Sequence, residues 1–157
     1  MTTYLDDISV GDVFVSAART IERADIERFA QVSGDFNPLH VDEDWVRAHT
    51  DYDQCIAHGL LMLSISSGLK CDGMDDWHIE AYLSVERRMM SPTYPGDTVR
   101  AKSVVSEVRR SKSRPASGIV TVHVTLTNQD GETLQTGTDK FMVGARPPAG
   151  PMPTEVD

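Results

Sequence analysis

The chain has 157 residues, 39% of them hydrophobic and 25% charged, with a formal charge of −9. That describes one globular domain long enough to bury a core without disulfides or a structural metal, and no apolar run approaches the roughly 18–20 residues of a bilayer-spanning helix. The acid excess sets the whole-molecule field against polyanions, which argues against nucleic acid as a partner, and no membrane partner is expected.

Met1 to Asp7 lacks the basic-then-apolar order of a secretory leader and the Arg-rich character of a transit peptide, so a cytoplasmic location is expected. Residues 10–15 read as a turn leading into a strand. Residues 24–32 carry Ile26, Phe29, Ala30 and Val32 at near-helical spacing, predicting a short amphipathic helix that stops at Gly34. Just beyond it, Ser33-Gly34-Asp35-Phe36-Asn37-Pro38-Leu39-His40 places a carboxylate and an imidazole five residues apart around an Asn-Pro step. The residue before a proline is pushed toward extended conformations, so the chain should turn there and bring Asp35 and His40 to one side of a loop. Two groups so placed can share one water molecule. Residues 36–56 are polar and irregular, with one helical turn expected around 42–48, and read as a cover.

Residues 59–69 are apolar nearly all round, with small Ser and Gly interspersed, which predicts a helix buried on most sides. Four segments of β character follow, at 79–85, 98–110, 119–127 and 133–143, separated by turn signals such as Tyr94-Pro95-Gly96-Asp97 and Asn128-Gln129-Asp130-Gly131. The last three are expected to form an antiparallel meander. Val120, Val122, Val124 and Leu126 alternate with Thr121, His123, Thr125 and Thr127, the period of a strand with one packed face. The apolar helix is the only element long enough to cover that face. An α+β architecture follows, a long curved antiparallel sheet wrapped around a central buried helix, in a single domain over residues 1–146. The tail, residues 147–157, carries Pro147, Pro148, Pro151 and Pro153 and is expected to be flexible.

Cys55 and Cys71 stand apart from any CxxC or His at metal spacing, so free thiols and no metal are expected. No GxSxG, HExxH, Walker loop or GxGxxG is present. Arg109, Arg110, Lys112 and Arg114 put four cations into six positions, either a solvated turn or a dock for a small anion.

The run from Phe29 to His40, followed by Ala57-His58-Gly59-Leu60, resembles the hydratase signature of the MaoC-like (R)-specific enoyl-CoA hydratases, which adopt the hot-dog fold. Tyr94 to Val99 and the stretch from Ser111 to Val120 are similar to further turns of that family, so matching elements cover most of residues 10–145. One departure is Cys55, which stands where relatives commonly carry proline. The resemblance implies reversible addition of water across the double bond of a trans-2-enoyl-CoA, giving the (R)-3-hydroxyacyl-CoA. It implies that Asp35 and His40 hold and activate the water as general base and acid, that Asn37 supports them, and that the Gly59 N–H receives the thioester oxygen. Ser67 corresponds to a hydroxyl near the pair. His58 reads as structural, fixing the start of the central helix. Coenzyme A, as part of the substrate, would meet cations at the pocket mouth, with Lys112 and Arg114 the candidates. No metal or redox cofactor is implied, and a homodimer with a continuous sheet, or an assembly of such dimers, is. Two other classes remain: an acyl-CoA thioesterase of the same fold, which needs no His40, and a non-catalytic acyl-binding subunit of a heterodimeric dehydratase.

Overall fold

In the computed structural model, which describes residues 1–148, one antiparallel sheet wraps a single helix. The strands are β1 (Val13–Val15), β2 (Arg19–Thr20), β3 (Ile79–Met89), β4 (Thr98–Arg110), β5 (Ser117–Thr127) and β6 (Thr133–Gly144). Their order is β1-β4-β5-β6-β3, with β2 also pairing with β4, so the expected β4-β5-β6 meander is present and β3 forms an edge. The strand β3 runs four residues past the 79–85 expected, because Glu86 to Met89 pair with Thr138 to Gln135 of β6. Three charged residues in succession, Glu86-Arg87-Arg88, hide that segment from a hydrophobic pattern.

The helices are α1 (Arg23–Ser33), α2 (Pro38–Val41), α3 (Glu43–His49) and α4 (Gly59–Gly68). The Asp42 side chain accepts from the Trp45 N–H at 2.9 Å and caps α3. Leu61, Met62 and Ile65 of α4 pack onto Val99, Ala101, Val105, Val120, Val122, Val124 and Leu126 of the inner sheet face, all of them buried. The contact places α4 as the core helix, because only a mostly apolar helix can fill the concave side of the sheet. Its other face is open, contrary to a helix buried on most sides: Leu60 is 61% exposed, and Ser64 and Ser67 are exposed too. Beside it, β3 exposes Tyr82, Leu83, Val85 and Met89. Among the described residues no helix is long and apolar enough to cross a membrane. Of the expected tail, residues 149–157 lie outside the described residues.

Candidate active site

The helix α1 ends where expected, at Gly34, whose φ of 77° is a left-handed conformation open to glycine at little cost. A ladder of side-chain to backbone bonds then shapes the loop. The Asp35 N–H donates to Ser33 Oγ at 3.2 Å, the Asn37 N–H to Asp35 Oδ1 at 3.2 Å, and the Leu39 N–H to Asn37 Oδ1 at 3.0 Å. Asn37 is extended, with ψ of 131°, and Pro38 opens the one-turn helix that carries His40. The turn inferred from Asn-Pro is thus made, and Asp35 and His40 meet on one side of it.

The His40 Nδ1–H donates to the Ile56 carbonyl at 2.8 Å. A carbonyl only accepts, so Nδ1 carries the proton of the neutral ring and the Nε2 lone pair is left for chemistry. His58, 2% exposed, stacks on His40 with ring centroids 3.8 Å apart, and its Nε2–H donates to the Asp35 carbonyl at 3.0 Å. One donor atom from each of Asp35, His40 and His58 lies within 4.8 Å of the others. Burial chiefly, and then the nearby His58, hold the His40 pKa below the ordinary imidazole value against the opposing pull of the Ile56 carbonyl and the Asp35 carboxylate. His40 is therefore a neutral base at neutral pH. The three side chains are donors that a divalent cation accepts, but near-parallel rings direct their in-plane lone pairs side by side, a poor fit to convergence on one ion.

Next to His40 opens a cavity of about 280 Å³, lined in part by Tyr52, Gly59, Met62, Met89 and Gln135. Gly59 is the first residue of α4, and no side chain caps that helix start. Its backbone N–H is one of the donors a helix leaves unsatisfied, at the positive end of the dipole. The Gln135 Nε2–H donates to the Gly59 carbonyl at 2.8 Å and ties this first turn to β6. A Cβ on residue 59 would come within 3.0 Å of Met89 Cε, so glycine keeps the space between helix and strand open. Asp35, exposed, lies beside this cavity and not in its wall.

The structure thus gathers Asp35 and His40, with Gly59 lining the same cavity as His40. Asn37 caps α2 and does not line the cavity, which fits a supporting role and not a substrate contact. Ser67 is not with the pair: its hydroxyl donates to the Ser64 carbonyl at 2.9 Å, and it borders a second cavity at the far end of α4. Lys112 and Arg114 are exposed in the β4–β5 turn, beside Gly118, whereas Gln135 pairs with Leu126. Eight residues of β5 separate those levels, about 27 Å at the rise of a strand, so within one chain the turn is not at the cavity mouth. His58 stands at the start of α4, as expected, and its contacts with Asp35 and His40 add to that role; Gln135, a polar residue at an inward strand position, carries no signal in the sequence of its bond to Gly59.

An α+β hot-dog domain with an acid–base pair at the start of its central helix is the class of protein this architecture defines. Within that class, residues 9–128 match the family model described as MaoC like domain, and the chain belongs to that family. It is 33% identical over 146 residues to an (R)-specific enoyl-CoA hydratase of Rhodospirillum rubrum, covering 91% of this chain and 93% of the relative. A crystal structure of the MaoC-like dehydratase from Rhodospirillum rubrum superposes with a TM-score of 0.78 at 32% identity, covering 92% of this chain and 99% of the other. A conserved hypothetical protein of Mycobacterium tuberculosis with a double hot-dog fold matches at a TM-score of 0.82 and 21% identity, over 96% of this chain and 47% of the other, a likeness of fold. The family and these relatives support an enzyme of the hydratase/dehydratase kind.

Proposed function

We propose that the chain hydrates trans-2-enoyl-CoA reversibly to the (R)-3-hydroxyacyl-CoA. The observation that carries this reading is a His40 ring nitrogen within 4.8 Å of an Asp35 carboxylate oxygen, with the Nδ1–H held by the Ile56 carbonyl, beside a cavity that an uncapped helix N-terminus also lines. Water held between Asp35 and His40 gives a proton to the pair as its oxygen bonds to the β-carbon, and the same pair returns a proton to the α-carbon. The thioester oxygen gains charge as the β-carbon is attacked, and the Gly59 N–H with the α4 dipole stabilises it. Asn37 holds the loop that carries both groups.

The reading includes no metal or redox cofactor, so EDTA leaves the activity intact. It also includes a second copy of the chain laid on the open face of α4 and the unpaired edge of β3, where Leu60, Leu83 and Val85 are exposed, because a long apolar strand edge is otherwise an aggregation hazard. Sedimentation of the purified protein as a dimer checks that part. A cytoplasmic setting keeps the buried thiols of Cys55 and Cys71 reduced. The deciding assay follows loss of the enoyl-thioester absorbance of crotonyl-CoA with free thiol measured in parallel. Hydration without thiol release supports the reading, thiol release without hydration makes the protein a thioesterase, and neither makes it an acyl-binding subunit.

A further inference from the structure

A second cavity, of about 360 Å³, lies between the far end of α4 and the inner face of the sheet. Its volume is in the range of small-molecule sites. Val124 and Phe141 give it an apolar body, but Ser66, Ser103, Tyr82 and Asp139 bring polar groups into its wall. Asp139 is 5% exposed, and Arg87 grips its carboxylate with both nitrogens, at 2.6 and 2.8 Å. A buried ion pair costs desolvation that apolar packing of the same volume would avoid, so its presence in a cavity wall asks for a reason beyond stability. Ser103, 7% exposed, stands in the same wall. Burial first, and then the Asp139 charge, push the Tyr82 phenol up to about 12, so it stays a donor at all physiological pH values.

The two cavities lie along the same sides of the same elements. Gly59 and Met62 line the first and Ser66 the second, at positions that share one face of α4, with about 11 Å of helix between Gly59 and Ser66. On β6, Gln135 serves the first and Asp139 the second, four residues or about 13 Å apart on one strand face.

From this arrangement we infer that the second cavity binds a neutral hydroxyl group carried on an otherwise apolar chain, and that the preferred thioester bears such a hydroxyl at the end remote from its reacting double bond. The second half of the inference rests on the hydratase reading; the first does not. Arg87 already neutralises the buried Asp139, and the other carboxylate of the lining, Asp75, is exposed and accepts from the Cys71 N–H at 2.9 Å, so the buried part of the wall offers no uncompensated charge to an ion. A hydroxyl meets it in both senses, donating to the Asp139 carboxylate while accepting from Tyr82 or Ser103. A bare alkyl end would bring no donor or acceptor to the Asp139 carboxylate and the Ser103 hydroxyl, a mismatch that polar sites disfavour.

The test compares two non-reacting ligands by calorimetry, octanoyl-CoA and ω-hydroxyoctanoyl-CoA, on the intact protein, and then the kcat/KM of the matching enoyl thioesters. The hydroxylated ligand binds about 10-fold more tightly, and Ser103→Ala, a small change that leaves packing in place, cuts that preference about threefold. The double variant Arg87→Leu with Asp139→Leu, which removes both charges together, abolishes or reverses it. Equal or weaker binding of the hydroxylated ligand to the native protein, or a preference that neither variant changes, overturns the inference. If the native protein hydrates neither crotonyl-CoA nor the enoyl pair yet still prefers the hydroxylated ligand, the hydratase reading falls and the hydroxyl site stands.

Discussion

His58 and His40 stack with ring centroids 3.8 Å apart, while the far side of His58 is bonded to the Asp35 backbone, so one buried ring braces both members of the acid–base pair. Replacing it by phenylalanine keeps a ring in the stack but removes the bond to Asp35 and the repulsion that helps hold the His40 pKa down. Hydration falls about 10-fold, the loss of one buried hydrogen bond. The pH dependence separates this from simple destabilisation. Asp35 and His58 flank His40, and Tyr52 lines the same cavity. In the native protein its pKa is lowered, so the neutral base persists below the ordinary imidazole value and the acid limb of kcat/KM lies on the low side of it. Without His58 the repulsion is gone, His40 takes its proton at higher pH, and the acid limb moves up.

Asp35→Asn and His40→Ala each remove a proton-handling group; both leave the loop's ladder of bonds in place, and His40→Ala gives up the bond to the Ile56 carbonyl and the stack on His58. Each lowers kcat for crotonyl-CoA at least about 10²-fold with an unchanged circular dichroism spectrum. Near-native turnover in either variant would contradict the assignment.

At Gly59 the effect is one of room. A methyl there meets the flexible end of Met89, which yields and swings into the cavity, so Gly59→Ala folds normally but loses about 10-fold in kcat/KM. Truncating the obstacle restores part of it: Gly59→Ala with Met89→Ala is faster than Gly59→Ala alone. No recovery would place the fault in the N–H geometry instead.

Gly137 is a stability position. An added Cβ would stand 1.9 Å from the Glu86 carbonyl oxygen, backbone that cannot move aside without opening the β3–β6 ladder. Gly137→Ala costs about 2–3 kcal/mol in urea unfolding, at the level of an overpacked core.

What the sequence made legible follows the range of the interactions. Asp35, Pro38 and His40 act within eight residues of Ser33, through turn and cap chemistry that needs no knowledge of the rest of the chain, and the loop forms as that chemistry demands. The apolar alternation of β5 and the character of α4 likewise announced the core. What the sequence hides is non-local. Gln135 reaches Gly59 across 76 residues, and His58 reaches Asp35 across 23, contacts that exist only once sheet register is set. The same register carries Lys112 and Arg114 to the end of the sheet away from His40, and helix length carries Ser67 away from the pair.

The ladder from Ser33 through Asp35 and Asn37 to Leu39 has one more implication. Because each rung is anchored to main chain two positions along, the acid's aim is stored in a short stretch of peptide and, the bond from His58 apart, owes little to the sheet beneath it. Substitutions deep in the barrel of strands can therefore remodel the volume offered to a ligand while the reactive end keeps its bearing, which lets selectivity drift independently of chemistry.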